Sequence, residues 1–199
     1  MGDGIMWAPL ILFSAVMTLT PGPNVVLVTA SGANFGFRRT IPQMLGITLG
    51  FGSMAVAAGL GLGGLVQTEP RVHAMLKYAG AIYFFYLAWR IATAEAVGAA
   101  GSRARPIGLT EAALFTWMNP KAWVSVFGAL AAYTTTSGHA VWEISAIAAV
   151  LAAFCLMSCV IRASFGTAIG CRIAKPRART AFNWLMAGLL VLSVIPVLQ

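Results

Sequence analysis

A chain of 199 residues with 59% hydrophobic and only 9% charged residues, and a mean hydropathy of +0.84, lies far from soluble globular usage, in which about a quarter of residues are charged. This is the composition of a polytopic all-α membrane protein. The formal net charge of +8 does not point to nucleic acid, because the basic residues are scattered through short connections between apolar runs and form no aromatic-interleaved basic face.

The N-terminus, Met1-Gly2-Asp3-Gly4, carries no Lys or Arg, so the basic region of a cleavable secretory signal is missing and the first apolar run is expected to be retained. Crossing roughly 30 Å of hydrocarbon takes about 20 apolar residues. By that measure the chain divides into six spans, at about 6–30, 41–66, 73–94, 111–133, 141–163 and 180–198. The first span contains Thr20-Pro21-Gly22-Pro23-Asn24. Interior prolines remove helical hydrogen bonds and push their rings into the preceding turn, so the helix should break here. In hydrocarbon such a break is tolerated only where protein or a wet cavity surrounds it.

The second span holds Gly46 and Gly50, then Gly59 and Gly63, spacings that allow close helix approach. Internal packing is the preferred reading, with a homodimer seam as the alternative. The fourth span is interrupted by Met118-Asn119-Pro120-Lys121-Ala122-Trp123, again pairing an Asn with a Pro and adding a cation. Cys155 and Cys159 fall one turn apart in the fifth span and Cys171 just beyond it. An odd set within or beside a span implies no disulfide framework, and without a third ligand the cysteines read as packing residues rather than a metal site. His73 and His139 are expected near the outer surface and apart, so no metal pair is assigned.

Cytoplasmic loops carry the Lys/Arg excess. With the N-terminus outside, nine basic residues face inward (Arg38, Arg39, Arg90, Arg103, Arg105, Arg172, Lys175, Arg177 and Arg179) against two outward (Arg71 and Lys77), and both termini are periplasmic. Arg162 falls at the inner end of the fifth span, where it can snorkel. Trp7, Tyr133 and Trp142 anchor outer ends; Trp89 and Trp184 anchor inner ones. The long basic connection at 96–109 joins a repeat at about 5–95 to one at about 110–199, within a single membrane domain. Three spans in each half make the halves run in opposite senses, as in inverted-repeat transporters, whose substrate sites lie at helix breaks near the midplane.

The candidate substrate-binding residues are therefore Pro21, Gly22, Pro23 and Asn24 from one break and Asn119, Pro120 and Lys121 from the other. Asparagine beside a break either caps the freed backbone or reaches a ligand. A lysine near mid-membrane costs about 2.5–3.5 kcal/mol on insertion scales, so Lys121 should face the interior. Asp3, Glu69, Glu95, Glu111 and Glu143 all sit at ends or in loops, leaving backbone carbonyls or a substrate carboxylate as its partner. Trp117 and Trp123 flank the second break and read as packing or lipid contacts rather than as a cage for an ammonium. No hydrolase triad, phosphate-cradling loop or carboxylate pair is present, which argues against an enzyme and against a cofactor.

Taken in order, these motifs resemble the LysE/RhtB family of amino-acid exporters. The resemblance rests on Thr20 to Asn24, Gly46-Ile47-Thr48-Leu49-Gly50, Leu76 to Tyr83, Asn119-Pro120-Lys121-Ala122 and the tail Arg179 to Gly188. It implies a bacterial inner-membrane protein exporting a small amino acid or derivative, drawing on the proton motive force. Relatives often carry an acidic residue or His in the second span where this chain has Phe51-Gly52-Ser53, and the sixth span carries no charge. Two other readings stand beside export of an amino acid: a non-transporting membrane scaffold in which the breaks are kinks, and a metal-cation exporter, against which the lack of a deep carboxylate or His cluster speaks.

Overall fold

The computed structural model describes residues 5–62, 70–94, 105–135, 139–173, 175–193 and 195. The expectations for Asp3, Gly63, Glu69, Glu95, Arg103 and most of the 96–109 joint fall outside these residues, as do the side chains of His73 and Lys77. Eight helices carry the described chain, and no strand occurs among the described residues. They are α1 (Trp7–Leu19), α2 (Pro23–Phe35), α3 (Phe37–Ala57), α4 (Pro70–Ala92), α5 (Leu109–Trp117), α6 (Pro120–Tyr133), α7 (Ala140–Arg172) and α8 (Pro176–Leu192). A wider turn at Ala58–Leu62 extends α3.

The helix boundaries follow from proline. The residue before a proline is pushed out of the helical region, and the proline itself then suits the first helical position, where it has no partner to lose. Gly22 (φ −175°, ψ −177°) precedes Pro23, Asn119 (φ −89°, ψ 108°) precedes Pro120, and Lys175 (φ −84°, ψ 130°) precedes Pro176. Each proline opens a helix. Both expected breaks therefore exist, between α1 and α2 with a bend of 60°, and between α5 and α6. At Gly36 the chain turns from α2 into α3 through φ +80°, a conformation that a side chain would strain.

Two expectations change. The fifth segment runs to Arg172 rather than 163, because no breaker occurs between Ala140 and Ile173, so its 33 residues outrun a bilayer's thickness. The last helix starts at Pro176 and ends at Leu192. By length and apolarity Phe37–Leu62 and Ala140–Arg172 can each cross a membrane, and the bent pair α1–α2 makes a third. The other described helices do not reach that mark, so the six-span repeat is not established by length and composition.

Contacts sort the helix ends into two layers. In one, the Tyr133 hydroxyl at the end of α6 donates to the Pro9 carbonyl at 3.2 Å, and Gly59 lies against Ile144 at the start of α7. In the other, the end of α2 meets α8 and the end of α4: Asn34 Nδ2 donates to Asn183 Oδ1 (2.8 Å), and Asn183 Nδ2 donates to the Ala94 carbonyl (2.9 Å). There the ion pair Arg90–Glu111 also ties the end of α4 to the start of α5. The helix termini of this second layer carry Arg38, Arg39, Arg105, Arg172, Lys175, Arg177 and Arg179.

The basic layer is knit by backbone contact through glycine. A Cβ on Gly166 or Gly170 of α7 would lie 2.2 or 2.3 Å from the Thr29 or Ala33 carbonyl oxygen of α2, and one on Gly32 of α2 would lie 2.5 Å from the Ala163 carbonyl oxygen. In the same layer, Gly46 and Gly50 of α3 meet the carbonyls of Leu109 and Ala113 at the start of α5, at 2.1 and 2.9 Å from a built Cβ. The first glycine pair of α3 is thus consumed in internal packing. Gly166→Ala should cost about 1–3 kcal/mol through overpacking, read as a lowered midpoint of thermal aggregation in detergent. Gly188→Ala, with open space around it, should leave that midpoint unchanged or slightly raised.

Candidate functional site

A helix ends with four carbonyls that have no intrahelical donor. At the end of α1 the chain supplies donors for these from two other helices. Ser158 Oγ and Arg162 Nη2 of α7 donate to the Thr18 carbonyl (2.8 and 2.9 Å), and Arg162 Nη2 also reaches the Leu19 carbonyl at 3.0 Å. Lys121 Nζ of α6 donates to the Thr20 and Pro21 carbonyls at 2.7 and 2.9 Å. Two cations thus sit at the negative end of the α1 dipole, the favourable sign of that interaction. Gly22 makes room for the lysine, since a Cβ there would lie 2.9 Å from Lys121 Cδ.

Of the two partners expected for Lys121, backbone carbonyls hold it here. Two of its three N–H donors are used in this way, leaving one. Arg162, read from sequence as a snorkelling end residue, instead lies within α7 and lines the same cavity as Lys121. It was misplaced because α7 continues beyond the apolar stretch. Cys155, Ser158, Cys159 and Arg162 follow the i, i+3, i+4, i+7 spacing of one helix face, which was the available signal.

The two asparagines behave differently. Asn119 Oδ1 accepts from the Lys121 backbone N–H at 3.1 Å, capping α6. Asn24 does not cap: its Oδ1 is buried and has no hydrogen-bond partner. The two tryptophans brace the second break. Trp123 Nε1 donates to the Trp117 carbonyl at 2.7 Å, Trp117 Nε1 donates to Ser53 Oγ at 3.2 Å, and the rings meet edge to face.

Gly22, Pro23, Asn24, Asn119 and Lys121 line one cavity together with Thr18, Thr20, Phe51, Ser158 and Arg162. Pro21 contributes its carbonyl, while Pro120 serves as the first residue of α6 and is not in the lining. The two breaks therefore meet. The cavity measures about 50 Å³, room for a water or two rather than for a ligand, so this conformation is closed around the break. Cys155 and Cys159 also face it, buried and unpaired by disulfide, and no group of three metal-binding side chains occurs among the described residues.

A model of the LysE type translocator family matches residues 15–195, spanning both breaks and nearly the whole chain. The chain belongs to the LysE-type translocators. Members of that family are transporters, not enzymes. Among curated proteins, a cysteine/O-acetylserine efflux protein of Salmonella typhimurium is 35% identical over 97 residues, covering 48% of this chain and 49% of that protein. One of Escherichia coli (strain K12) is 34% identical over 110 residues, 55% of each. The match thus spans about half the length of these curated relatives. No solved structure matches.

For this LysE-type translocator the carbonyl cluster predicts graded losses. Ser158→Ala leaves the Thr18 carbonyl with Arg162 and should cost about 1 kcal/mol, the typical net worth of one hydrogen bond. Arg162→Met strips the Leu19 carbonyl of its donor and weakens the Thr18 one, and should cost somewhat more, about 1.5–2 kcal/mol, the low end for hydrogen bonds from a half-buried charged group. Thermal midpoints of the purified variants in detergent check this order.

Proposed function

We propose that the protein is a bacterial inner-membrane secondary transporter that exports a small amino acid or derivative through the place where the two broken helices meet. The observation that carries this reading is the unpartnered Asn24 Oδ1 beside Lys121 in a cavity built from both breaks. An acceptor with no donor and an ammonium with one free N–H are the complements of an α-ammonium and an α-carboxylate. In the substrate-bound state Asn24 accepts from the ammonium while Lys121 holds the carboxylate, with Pro21, Gly22, Pro23, Asn119 and Pro120 shaping the backbone around them. Admission requires the break to widen, since about 50 Å³ is well below the roughly 300–1,000 Å³ of usual small-molecule pockets.

The named substrates of the relatives, cysteine and O-acetylserine, are small and zwitterionic. They suit a site that offers one free acceptor, two cations and no carboxylate in its lining. The sorting of basic residues into one layer supports a cytoplasmic face there and periplasmic termini. In that orientation α1–α4 and α5–α8 form two three-span repeats of opposite sense. The lipid bilayer is the other partner, and a second copy of the chain is not needed to complete the site.

Cells expressing the protein and loaded with dipeptides should release cysteine, O-acetylserine or a similar small amino acid at several times the rate of control cells. Lys121→Met should reduce this release to background at comparable membrane abundance, while Lys121→Arg should retain part of it. Wild-type release by the Met variant would confine Lys121 to holding the α1 carbonyls. Reporter fusions after Lys175 should read as cytoplasmic and fusions after Gln199 as periplasmic; a cytoplasmic C-terminus would remove the inverted repeat.

A further inference from the structure

A larger cavity lies in the basic layer, away from the breaks. It measures about 650 Å³ and runs between α2 and α4, closed on one side by residues 105–107. Asn34 forms part of its wall, with Asn183 bonded behind it. Asn34 is 4% exposed, and its amide donor is spent on Asn183. Its Oδ1 has no partner and is fully buried, an acceptor just behind the cavity wall that a turn of the amide would bring to the cavity, and a costly one while it stays unpaired. At the other end stand two arginines. Arg90 is committed to Glu111 and to the Arg105 carbonyl, which it fixes at 2.9 Å. The Arg105 side chain is exposed, and no carboxylate pairs with it among the described residues.

The two cavities share a wall. Asn24, Leu27, Ser31 and Asn34 recur at i, i+3, i+7 and i+10, one face of α2. Asn24 lines the small cavity, while Leu27, Ser31 and Asn34 line the large one. Leu27, 2% exposed, is the apolar member separating the polar atoms of this stripe.

We infer that this cavity is a second substrate site, an antechamber that binds the amino-acid zwitterion on the cytoplasmic side before it passes Leu27 to the break. With its amide turned toward the cavity Asn34 takes the ammonium on Oδ1, Arg105 takes the carboxylate, and Ser31 stands between them and the leucine. The inference rests on the proposed export activity, and Arg105 acts in it as a binding residue remote from the step at the break.

Inside-out vesicles present the cytoplasmic face to the medium, so substrate uptake into them reads this site directly. The probes are O-acetylserine and each amino acid that the wild type releases from cells. Arg105→Gln should raise the half-saturating concentration about tenfold, the loss of one charge-assisted contact, with the maximal rate kept, and Arg105→Lys should restore much of the affinity. A structural defect would lower the rate without moving the half-saturation point. In a chain with Cys155, Cys159 and Cys171 replaced by alanine, Ser31→Cys should react with a small methanethiosulfonate, and O-acetylserine should slow that reaction severalfold even when Lys121→Met is also present. Transport with unchanged half-saturation in Arg105→Gln and no protection at position 31 would overturn the antechamber and leave export standing. Failure of the wild type to move any amino acid would overturn both.

Discussion

The structure depends on how the end of α1 is satisfied. Proline cannot continue a helix, so the break at Pro21 and Pro23 leaves the Thr18, Leu19, Thr20 and Pro21 carbonyls without donors from their own helix. Lys121, Arg162 and Ser158 meet them, and in doing so join the first break to α6 and α7. The same contacts explain how two cations are tolerated here without a deep carboxylate. A helix C-terminus is worth roughly half a negative charge, and four carbonyls spread that charge over both side chains. The compensation is partial. The cavity keeps a positive bias, which a substrate carboxylate would meet and a metal cation would not.

Closure and opening are distributed unevenly over the molecule. In the basic layer, α2 meets α7 and α3 meets α5 with glycine against carbonyl, so small shifts there collide with backbone rather than with side chains that can rotate aside. In the opposite layer, Gly128 meets the Phe13 ring at 3.2 Å from a built Cβ, and Phe13 packs edge to face on Tyr133. Aromatic side chains can move where backbone cannot. The halves of each broken helix are therefore held by different means, rigid seams at one end and rotatable rings at the other, and the bend at residues 20–22 is the natural place for the difference to be absorbed.

Much of this was legible in the sequence because proline and composition act locally. Both breaks, their asparagines and the lysine follow from a few adjacent residues, and all but Pro120 of the predicted site residues reach the cavity or its carbonyls. Arg162 was not legible, because its depth depends on where α7 ends, and apolar content marks the lipid-facing stretch rather than the helix. Glycines 166 and 170 continue that helix against α2 beyond the expected boundary. The Asn34–Asn183–Ala94 chain was not legible for another reason: its members lie 149 and 89 residues apart, and no periodicity in any one helix announces them. Asn24 and Asn119 looked equivalent as Asn-Pro neighbours. They differ because Asn119 precedes its proline and so occupies the capping position, whereas Asn24 follows Pro23 and is already inside α2.

That difference of two helical positions gives the two asparagines different work. An asparagine at the cap spends its oxygen on the helix, and its role ends there. Inside the first turn, the oxygen of Asn24 has no backbone donor to serve and must find one elsewhere. The order of the Pro-Asn pair therefore makes the second break rigid and the first one receptive. The stripe that starts at Asn24 and continues through Ser31 to Asn34 repeats the condition at its far end, where another side-chain oxygen is buried without a donor. Two unsatisfied acceptors thus share one face of α2, separated by a single buried leucine, where a face that serves packing alone would be expected to carry none.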